Sequence, residues 1–351
     1  MSEVAELRVV RVLPDVAAID KEFDYLVPSG VAVALGDVVR IDLHGRRVGG
    51  WITALDVEPP EGVALRPLAR VSGRGPAADL HDLARWAAWR WAGRRATFLR
   101  TASPPAVVRA LPAPAPPPIA PADLEVDPAV ADALARPLAV LRWPPAADRY
   151  ALVRAAVTAP SPVPDGRTLV LCPSVAEARA LGGRLRRDGV RTAVVANDGP
   201  GAAAAGEWSA ARAGAVVVGA RAAAWAPVEA LGRVVVLDEH DEAYQEEGSP
   251  TWHARDVVVE RARRAGAPCL LVSPVPSLES LDRAPEVVPA RHLARAGWPH
   301  VEVVDQRQLD PTLGPLFSPL LVNLVRGPGR VLAILNRTGR ARLLACSACT
   351  T

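Results

Sequence analysis

A short apolar run that ends in clustered polar residues constrains this chain more than any other feature. Val234, Val235, Val236 and Leu237 are followed at once by the acidic segment 238–241. Continuous β-branched runs are typical of parallel strands that are buried on both faces of a sheet. In open parallel sheets, ligands bind at the edge where the strands end. The run therefore predicts an α/β fold that carries carboxylates at the carboxyl edge of its sheet.

The same pattern recurs through the second half of the chain, where apolar runs alternate with Ala-, Arg- and Glu-rich helical segments. The further runs lie at 168–172, 192–195, 215–219 and 269–272. Residues 7–57 differ, because they read as short alternating strands separated by glycine turns. We therefore predict an α/β protein in which a small β-rich N-terminal domain precedes a parallel α/β lobe. The predicted boundaries are 1–105 for the first domain, 106–135 for a Pro/Ala-rich linker, 136–300 for the lobe and 301–351 for a further element.

Composition restricts the function classes only loosely. A chain of 351 residues with a net charge of +3 can bind nucleic acid but need not do so. The N-terminus does not read as a signal peptide, and no apolar run is long enough to cross a membrane, so we expect a cytoplasmic protein without membrane contact. Four cysteines in a chain of this length do not indicate a disulfide framework.

Lysine is almost absent, since Lys21 is the only one in the chain. A phosphate-binding loop of the form G-x-x-x-x-G-K-[ST] needs a lysine on the β- and γ-phosphates, and no such loop occurs here. The C-terminal Cys346 and Cys349 form a C-x-x-C pair, which supplies half of a tetrahedral zinc site. Cys172 and Cys269 fall within apolar runs and are predicted to be inert thiols. We expect zinc only in a longer form that brings the remaining ligands.

Six short segments, in order along nearly the whole chain, resemble the primosomal protein N′ (PriA) family of replication-restart helicases. They are EFDYLVP at 22–28, VVVGARAAAWAP at 216–227, LDEHDEAYQEE at 237–247, WHARD at 252–256, SPVPSLES at 273–280 and LNRTG at 335–339. The resemblance implies a 3′-DNA-end-binding domain followed by the first RecA-like lobe of a helicase motor. It also implies that residues 301–351 begin a second lobe and the zinc-binding region, where Cys346 and Cys349 match the first zinc cysteines.

The resemblance further implies which residues contact a DNA 3′ end. They are Phe23, Asp24, Tyr25, Gly45, Arg46 and Arg47. The chemistry is consistent, because an aromatic ring can stack on a base and a carboxylate can accept a hydrogen bond from a free 3′-hydroxyl. A carboxylate otherwise repels phosphates, so it favours a strand terminus over mid-strand DNA. The alternative is that Phe23, Asp24 and Tyr25 are ordinary strand residues that pack the small domain.

The chain departs from the family at three nucleotide motifs. Residues 141–150, where the glycine-rich lysine loop belongs, contain two prolines and no glycine. Leu237 stands where the family has its metal-binding Asp, and Asp238 stands at the catalytic Glu. Pro274 and Val275 replace the last two residues of the motif SAT.

These departures predict a degenerate nucleotide motif at Asp238, Glu239 and His240, and they argue against ATP as a ligand. The alternative is a polar strand end with no metal. The neighbouring His253 and Arg255 are expected to pair with Glu246 or Glu247 in a structural network.

These features together predict a replication-restart primosome protein without helicase activity. It would bind stalled or branched forks through the nascent 3′ end and help to reload the replicative helicase. The expected partners are forked DNA, single-stranded-DNA-binding protein, and the replicative helicase or its loader. One alternative is an active ATP-dependent 3′→5′ DNA helicase with an unusual nucleotide site, and the missing lysine argues against it. Another is a protein-interaction scaffold with no DNA role, from which salt-dependent fork binding would distinguish the protein.

Overall fold

The computed structural model describes residues 8–59, 61–120, 124–196, 201–305, 307 and 318–334. The chain divides into a large unit, Met1–Trp298, and a small unit, Pro299–Thr351. The large unit contains two sheets, one antiparallel and one parallel, so the predicted fold class is confirmed.

The first sheet is a five-stranded antiparallel structure with strand order β2-β1-β4-β3-β5. Its strands are β1 (Val9–Pro14), β2 (Phe23–Leu26), β3 (Val38–Leu43), β4 (Arg46–Ala54) and β5 (Arg70–Gly73). The sheet curls back on itself because Leu26 on β2 bonds to the segment before β5. The Leu26 amide donates to the Arg66 carbonyl at 2.9 Å, and the Leu26 carbonyl accepts from the Leu68 amide at 2.9 Å. We refer to this structure as the barrel.

Alternation along the strands gives the barrel an inner and an outer face. The inner face is an apolar core built from strands β1–β4 and the segment before β5. Its buried members are Val10, Val12, Tyr25, Val39, Ile41, Ile52 and Leu68. The other residues of each strand point outward, and only some of them are covered by helices.

Two helices cover part of the outer face, α1 (Ala78–Arg90) and α2 (Arg95–Ala102). The outward Leu13 and Trp51 are buried with these helices, and the Trp51 indole N–H donates to Ser103 Oγ at 2.8 Å. Arg95 of α2 bridges to Glu22 at 2.6 Å. These contacts fix the helices to the barrel, so the barrel and its helices form one packed element.

The segment after α2 runs along the protein rather than away from it. The Val108 carbonyl accepts from the Arg74 amide at 2.7 Å, and the Ala115 amide donates to the Ala213 carbonyl at 2.7 Å. Within the predicted linker, 106–135, the structure places helix α3 (Pro128–Leu134), whose Val130 is buried in the core of the parallel domain.

The second sheet has seven parallel strands in the order β12-β6-β11-β10-β7-β9-β8. Its strands are β6 (Leu138–Arg142), β7 (Arg167–Leu171), β8 (Thr192–Val195), β9 (Val216–Gly219), β10 (Leu231–Leu237), β11 (Cys269–Ser273) and β12 (Glu286–Val287). The associated helices are α4 (Arg149–Thr158), α5 (Val175–Arg187), α6 (Gly201–Arg212), α7 (Ala254–Ala265), α8 (Leu278–Arg283) and α9 (Arg291–Ala296). This is a RecA-like α/β lobe, and its central strand β10 is the apolar run that ends in carboxylates.

In the small unit, the structure describes helix α10 (Pro319–Arg326), capped by the Ser318 hydroxyl, which accepts from the Leu321 amide at 3.1 Å. Cys346 and Cys349, predicted to form half of a zinc site, lie outside the described residues. None of the helices in the described ranges has the length and apolar character needed to cross a membrane.

Candidate functional site

Strand β2 carries the first group of predicted site residues, and the structure does not bring them into one pocket. Phe23 and Tyr25 face the inner core of the barrel, whereas Asp24 between them faces outward, opposite Arg11 on β1. The Tyr25 ring is buried, its hydroxyl donates to the Asp42 carbonyl at 3.3 Å, and burial raises the pKa of this phenol. Tyr25 is thus a core residue here and presents no ring face for stacking on a base.

Asp24 is held by an arginine that the sequence did not single out. Arg11 donates to both carboxylate oxygens of Asp24, from Nε at 2.8 Å and from Nη2 at 3.1 Å. The Asp24 side chain retains 13% of its exposure. A carboxylate has about four lone-pair sites, so two remain for a further donor. The pair is therefore a fixed acceptor at the barrel surface whose charge is largely balanced.

Gly45 is explained by the turn that it forms. His44 and Gly45 link β3 to β4 and have φ values of 48° and 77°. A two-residue hairpin of this type needs positive φ at both positions, which glycine adopts without strain. A Cβ atom on Gly45 would meet no atom within 4 Å, so space does not require a glycine.

The two arginines after the turn lie at the start of β4 and are exposed. Arg47 faces outward, and its Nε lies 3.5 Å from Asp42 Oδ1. Arg46 pairs in register with Leu43, whose side chain belongs to the core, so Arg46 and Arg47 belong to opposite faces of the strand. Both remain accessible to a charged partner.

The second group of predicted residues lies just after β10, at the carboxyl edge of the parallel sheet. Asp238 has a left-handed backbone, with φ of 47°, and its carboxylate is ion-paired with Arg149 at the start of α4. Burial, and then the nearby charge of Asp238, raise the pKa of Glu177 on the neighbouring helix α5. Arg149 thus balances the charge of Asp238.

Glu239 is the most heavily engaged residue at this edge and is 0% exposed. Its carboxylate accepts from the Ser277 amide at 2.7 Å, from Ser280 Oγ at 2.6 Å and from Arg255 Nη1 at 2.8 Å. Burial opposes ionisation, but hydrogen bonds from Ser280, Ser277 and Arg255 outweigh it and lower the pKa of Glu239. Glu239 therefore joins the end of β10 to the starts of α7 and α8.

The expected pairing of Arg255 with Glu246 or Glu247 is wrong, because Glu239 is its carboxylate partner. Glu246 instead pairs with Arg221 at 3.1 Å. His253 caps α7 by accepting from the Arg255 amide at 3.2 Å. Arg255 pairs with Glu239 because a fully buried carboxylate is costly without a partner. Glu246 is partly exposed, so water can solvate its charge.

His240 also has a structural partner. Its Nδ1 lies 2.7 Å from Ser273 Oγ at the end of β11, while the ring as a whole is exposed. Nearby, the buried Tyr244 hydroxyl donates to the Leu237 carbonyl at 2.6 Å. Asp238, Glu239 and His240 are all brought to the predicted edge, and each is bonded to the protein itself.

The loop between β6 and α4 occupies the place of a phosphate-binding loop. Pro144 and Pro145 remove two backbone donors, and Asp148 caps α4 by accepting from the Tyr150 amide at 2.8 Å. A loop that cradles phosphate presents successive backbone N–H groups to it, and a proline has none to offer. These residues do not fit the triphosphate of ATP.

Metal binding finds little support in the described part of the chain. There, no group of three or more His, Cys, Asp or Glu side chains is arranged to hold a metal ion. Cys172 and Cys269 are buried, and burial raises the pKa of each thiol to about 12. Both are therefore protonated at neutral pH and unsuited to zinc, which binds thiolates.

The described structure is a small β-barrel followed by a RecA-like lobe, and comparisons with known proteins find similarity to one family of DNA-binding proteins. Residues 11–104 match the family model of the PriA 3′ DNA-binding domain. The replication restart protein PriA of Bacillus subtilis is 34% identical over 145 residues, which are 38% of this chain and 18% of that protein. PriA of Haemophilus influenzae is 30% identical over 158 residues, or 40% and 21% of the two chains. The chain is therefore similar to PriA proteins, and its match spans about a fifth of the length of these relatives.

Sequence reasoning missed Arg11 and Arg149, the partners of the two predicted aspartates. Arg11 lies in an alternating strand, where an outward charge is ordinary. Arg149 follows Asp148 in a segment whose pattern shows only prolines and the lack of a glycine-rich loop. Neither arginine carries a local signal, because each partner lies on a different element.

Proposed function

We propose that this protein binds branched DNA at the 3′ end of a nascent strand and acts in replication restart without being an ATP-driven motor. The observation that carries this proposal is the barrel itself. Residues 11–104 match the PriA 3′ DNA-binding domain, and on its surface the fixed carboxylate of Asp24 keeps free lone pairs. The proposed role in replication restart rests on the similarity to proteins of that name.

Asp24 would recognise the strand end by its hydrogen-bonding chemistry. A free 3′-hydroxyl donates a hydrogen bond, which an ionised carboxylate accepts strongly. A 3′-phosphate offers no comparable donor to Asp24. Arg11 keeps the carboxylate in one orientation, so little conformational entropy is lost when the hydroxyl docks. Tyr25 would support this site from within the core rather than by stacking.

The RecA-like lobe would serve as a scaffold. A motor needs a phosphate-binding loop, a metal-binding carboxylate and a residue that activates water. In this lobe the loop holds Pro144 and Pro145, and Leu237 stands where the metal-binding Asp would be. Asp238, at the position of the catalytic Glu, is paired with Arg149. The Glu239 carboxylate accepts hydrogen bonds from Ser277 and Ser280, so it is not free to activate a water molecule. We accordingly propose that the lobe neither binds nor hydrolyses ATP, in contrast to an active helicase.

Further parts of the proposal concern partners and zinc. Reloading the replicative helicase requires contact with that helicase or its loader, and stalled forks carry single-stranded-DNA-binding protein, so both are proposed partners. Zinc would bind only where Cys346 and Cys349 are joined by two further ligands.

The decisive experiment compares forks whose nascent strand ends in a 3′-hydroxyl or a 3′-phosphate. We expect the wild-type protein to prefer the hydroxyl by about 5- to 30-fold, which corresponds to a charge-assisted hydrogen bond of about 1–2 kcal/mol. Asp24→Ala should bind the two forks about equally. Asp56→Ala is the matched control, because Asp56 lies in the same domain, is exposed and pairs with Arg8 at 3.1 Å. Equal binding of both forks by wild-type protein would refute end recognition.

A further inference from the structure

The outer face of the barrel carries two arginines that the strand register places side by side. Arg40 on β3 is directly opposite Arg70 on β5 in an antiparallel pair. Directly opposed residues lie on the same face with Cβ atoms about 4.5–5.5 Å apart. Both side chains are exposed, and both point outward, because the inward Val39 belongs to the core of the barrel.

This arrangement is unfavourable for the barrel taken alone. Like charges directly opposed across two strands destabilise a sheet. Across the described residues, neither arginine has a carboxylate partner or a side-chain hydrogen bond. Arg8, just before β1, and Arg11 and Arg47 on the strands each pair with an aspartate. Among the described residues, Arg46 on β4 shows no such pair.

The surface beside Arg40 is bordered by Asp15, whose carboxylate is paired with Arg100. Arg40 lies opposite Gly49 on β4, and a Cβ atom built on Gly49 would come 3.9 Å from Arg40 Nη1. Gly49 has no side chain to cover the guanidinium, and Arg70 lies on β5, the last strand in the sheet order. A ligand could therefore reach both guanidinium groups from one side. Two adjacent guanidinium groups match the oxygens of a phosphate or of neighbouring phosphates, which arginine binds in a bidentate manner.

We propose that Arg40 and Arg70 form a phosphate-binding pair that holds the DNA backbone regardless of base sequence or end chemistry. The proposal rests on the proposed DNA-binding function and adds to it a site separate from Asp24. Binding an anion would relieve the repulsion between the two arginines, so the charge that is unfavourable in the free protein becomes favourable in the complex. Neither arginine belongs to the segments that resemble known motifs.

The test measures the salt dependence of fork binding for the full chain. Each phosphate contact contributes about 0.7–0.9 to the slope of log affinity against log salt. Arg40→Ala and Arg70→Ala should each lower that slope by about one contact and weaken both hydroxyl-ended and phosphate-ended forks by the same factor, roughly fivefold. Arg8→Ala is the matched control, because it removes the same charge from the same domain but from a residue paired with Asp56. It should leave the slope almost unchanged.

The outcomes separate the two proposals. If wild-type protein binds forks and the Arg40 and Arg70 variants keep its slope and affinity, the phosphate pair is refuted while DNA binding stands. If wild-type protein does not bind forks at all, the proposed function itself fails. Thermal unfolding provides a second readout, because a variant that relieves like-charge repulsion should unfold at the same temperature as wild type or slightly higher. A fall in unfolding temperature in both variants would show that the arginines are structural.

Discussion

Glu239 gives the sharpest test of whether the acidic edge of the lobe is structural or catalytic. It is fully buried and accepts hydrogen bonds from Ser277, Ser280 and Arg255, the last being 7% exposed. Glu239→Ala would leave the Arg255 guanidinium buried without a counter-charge. Breaking a buried ion pair on one side typically costs about 3–5 kcal/mol. For a unit of this size that corresponds to a fall in melting temperature of roughly 6–15 °C.

A small set of variants separates the charge from the shape of this residue. Glu239→Gln keeps the shape and one acceptor but loses the charge-assisted bonds, so we expect a loss of about 1–3 kcal/mol. Adding Arg255→Ala to Glu239→Ala should recover part of the loss, because the unpaired guanidinium is removed as well. Glu247→Ala is the matched control, since Glu247 is an exposed glutamate on the same segment. It should change stability by less than about 0.5 kcal/mol.

The assays are thermal and urea unfolding, followed by fork binding and phosphate release from Mg-ATP. We expect Glu239→Ala to unfold early while its preference for a 3′-hydroxyl end is retained below the melting transition. The structural interpretation is refuted if Glu239→Ala melts like wild type. It is equally refuted if the variant abolishes a DNA-stimulated ATPase activity at unchanged stability.

Three further predictions can be checked on the same protein. Isothermal titration with Mg-ATP should show no tight binding, and fork DNA should stimulate no phosphate release; turnover that is lost in Asp238→Ala would contradict the absence of a motor. Burial lowers the pKa of His81 from 6.5 to about 4, so the unfolded chain takes up the proton first as pH falls. The folded state should therefore lose about 2 kcal/mol between pH 7 and pH 5 through this residue, and His81→Leu should show a correspondingly flatter dependence in urea unfolding. Elemental analysis after chelator treatment should find no tightly held zinc, whereas one zinc per chain that disappears in Cys346→Ser would reveal missed ligands.

Most of the fold could be predicted, because the patterns that specify it are local. Continuous apolar runs identified the buried strands β7–β11, and alternation with turns identified the barrel. The packing of the predicted linker, 106–135, could not be predicted from its sequence. Its Pro/Ala composition shows that a segment lacks an apolar core of its own, but not that α3 packs against the parallel sheet.

The candidate site could be predicted only in part. The carboxylates of Asp238 and Glu239 were expected at the sheet edge, since residues at the carboxyl end of a parallel strand lie at that edge. In any strand Asp24 must face away from Phe23 and Tyr25, because side chains alternate between the two faces.

By itself, the sequence determined the class of each element, the order of the two domains and the absence of a lysine loop, because these depend on residue types over short windows. The tertiary structure alone decided which charges are neutralised. Arg149 meets Asp238, Arg255 meets Glu239 and Arg40 stands opposite Arg70 only after distant segments have been set in register. Strand register and helix packing are properties of the whole chain, and a shift of one residue would reverse which side chains meet. For that reason these pairings were visible only in the folded protein.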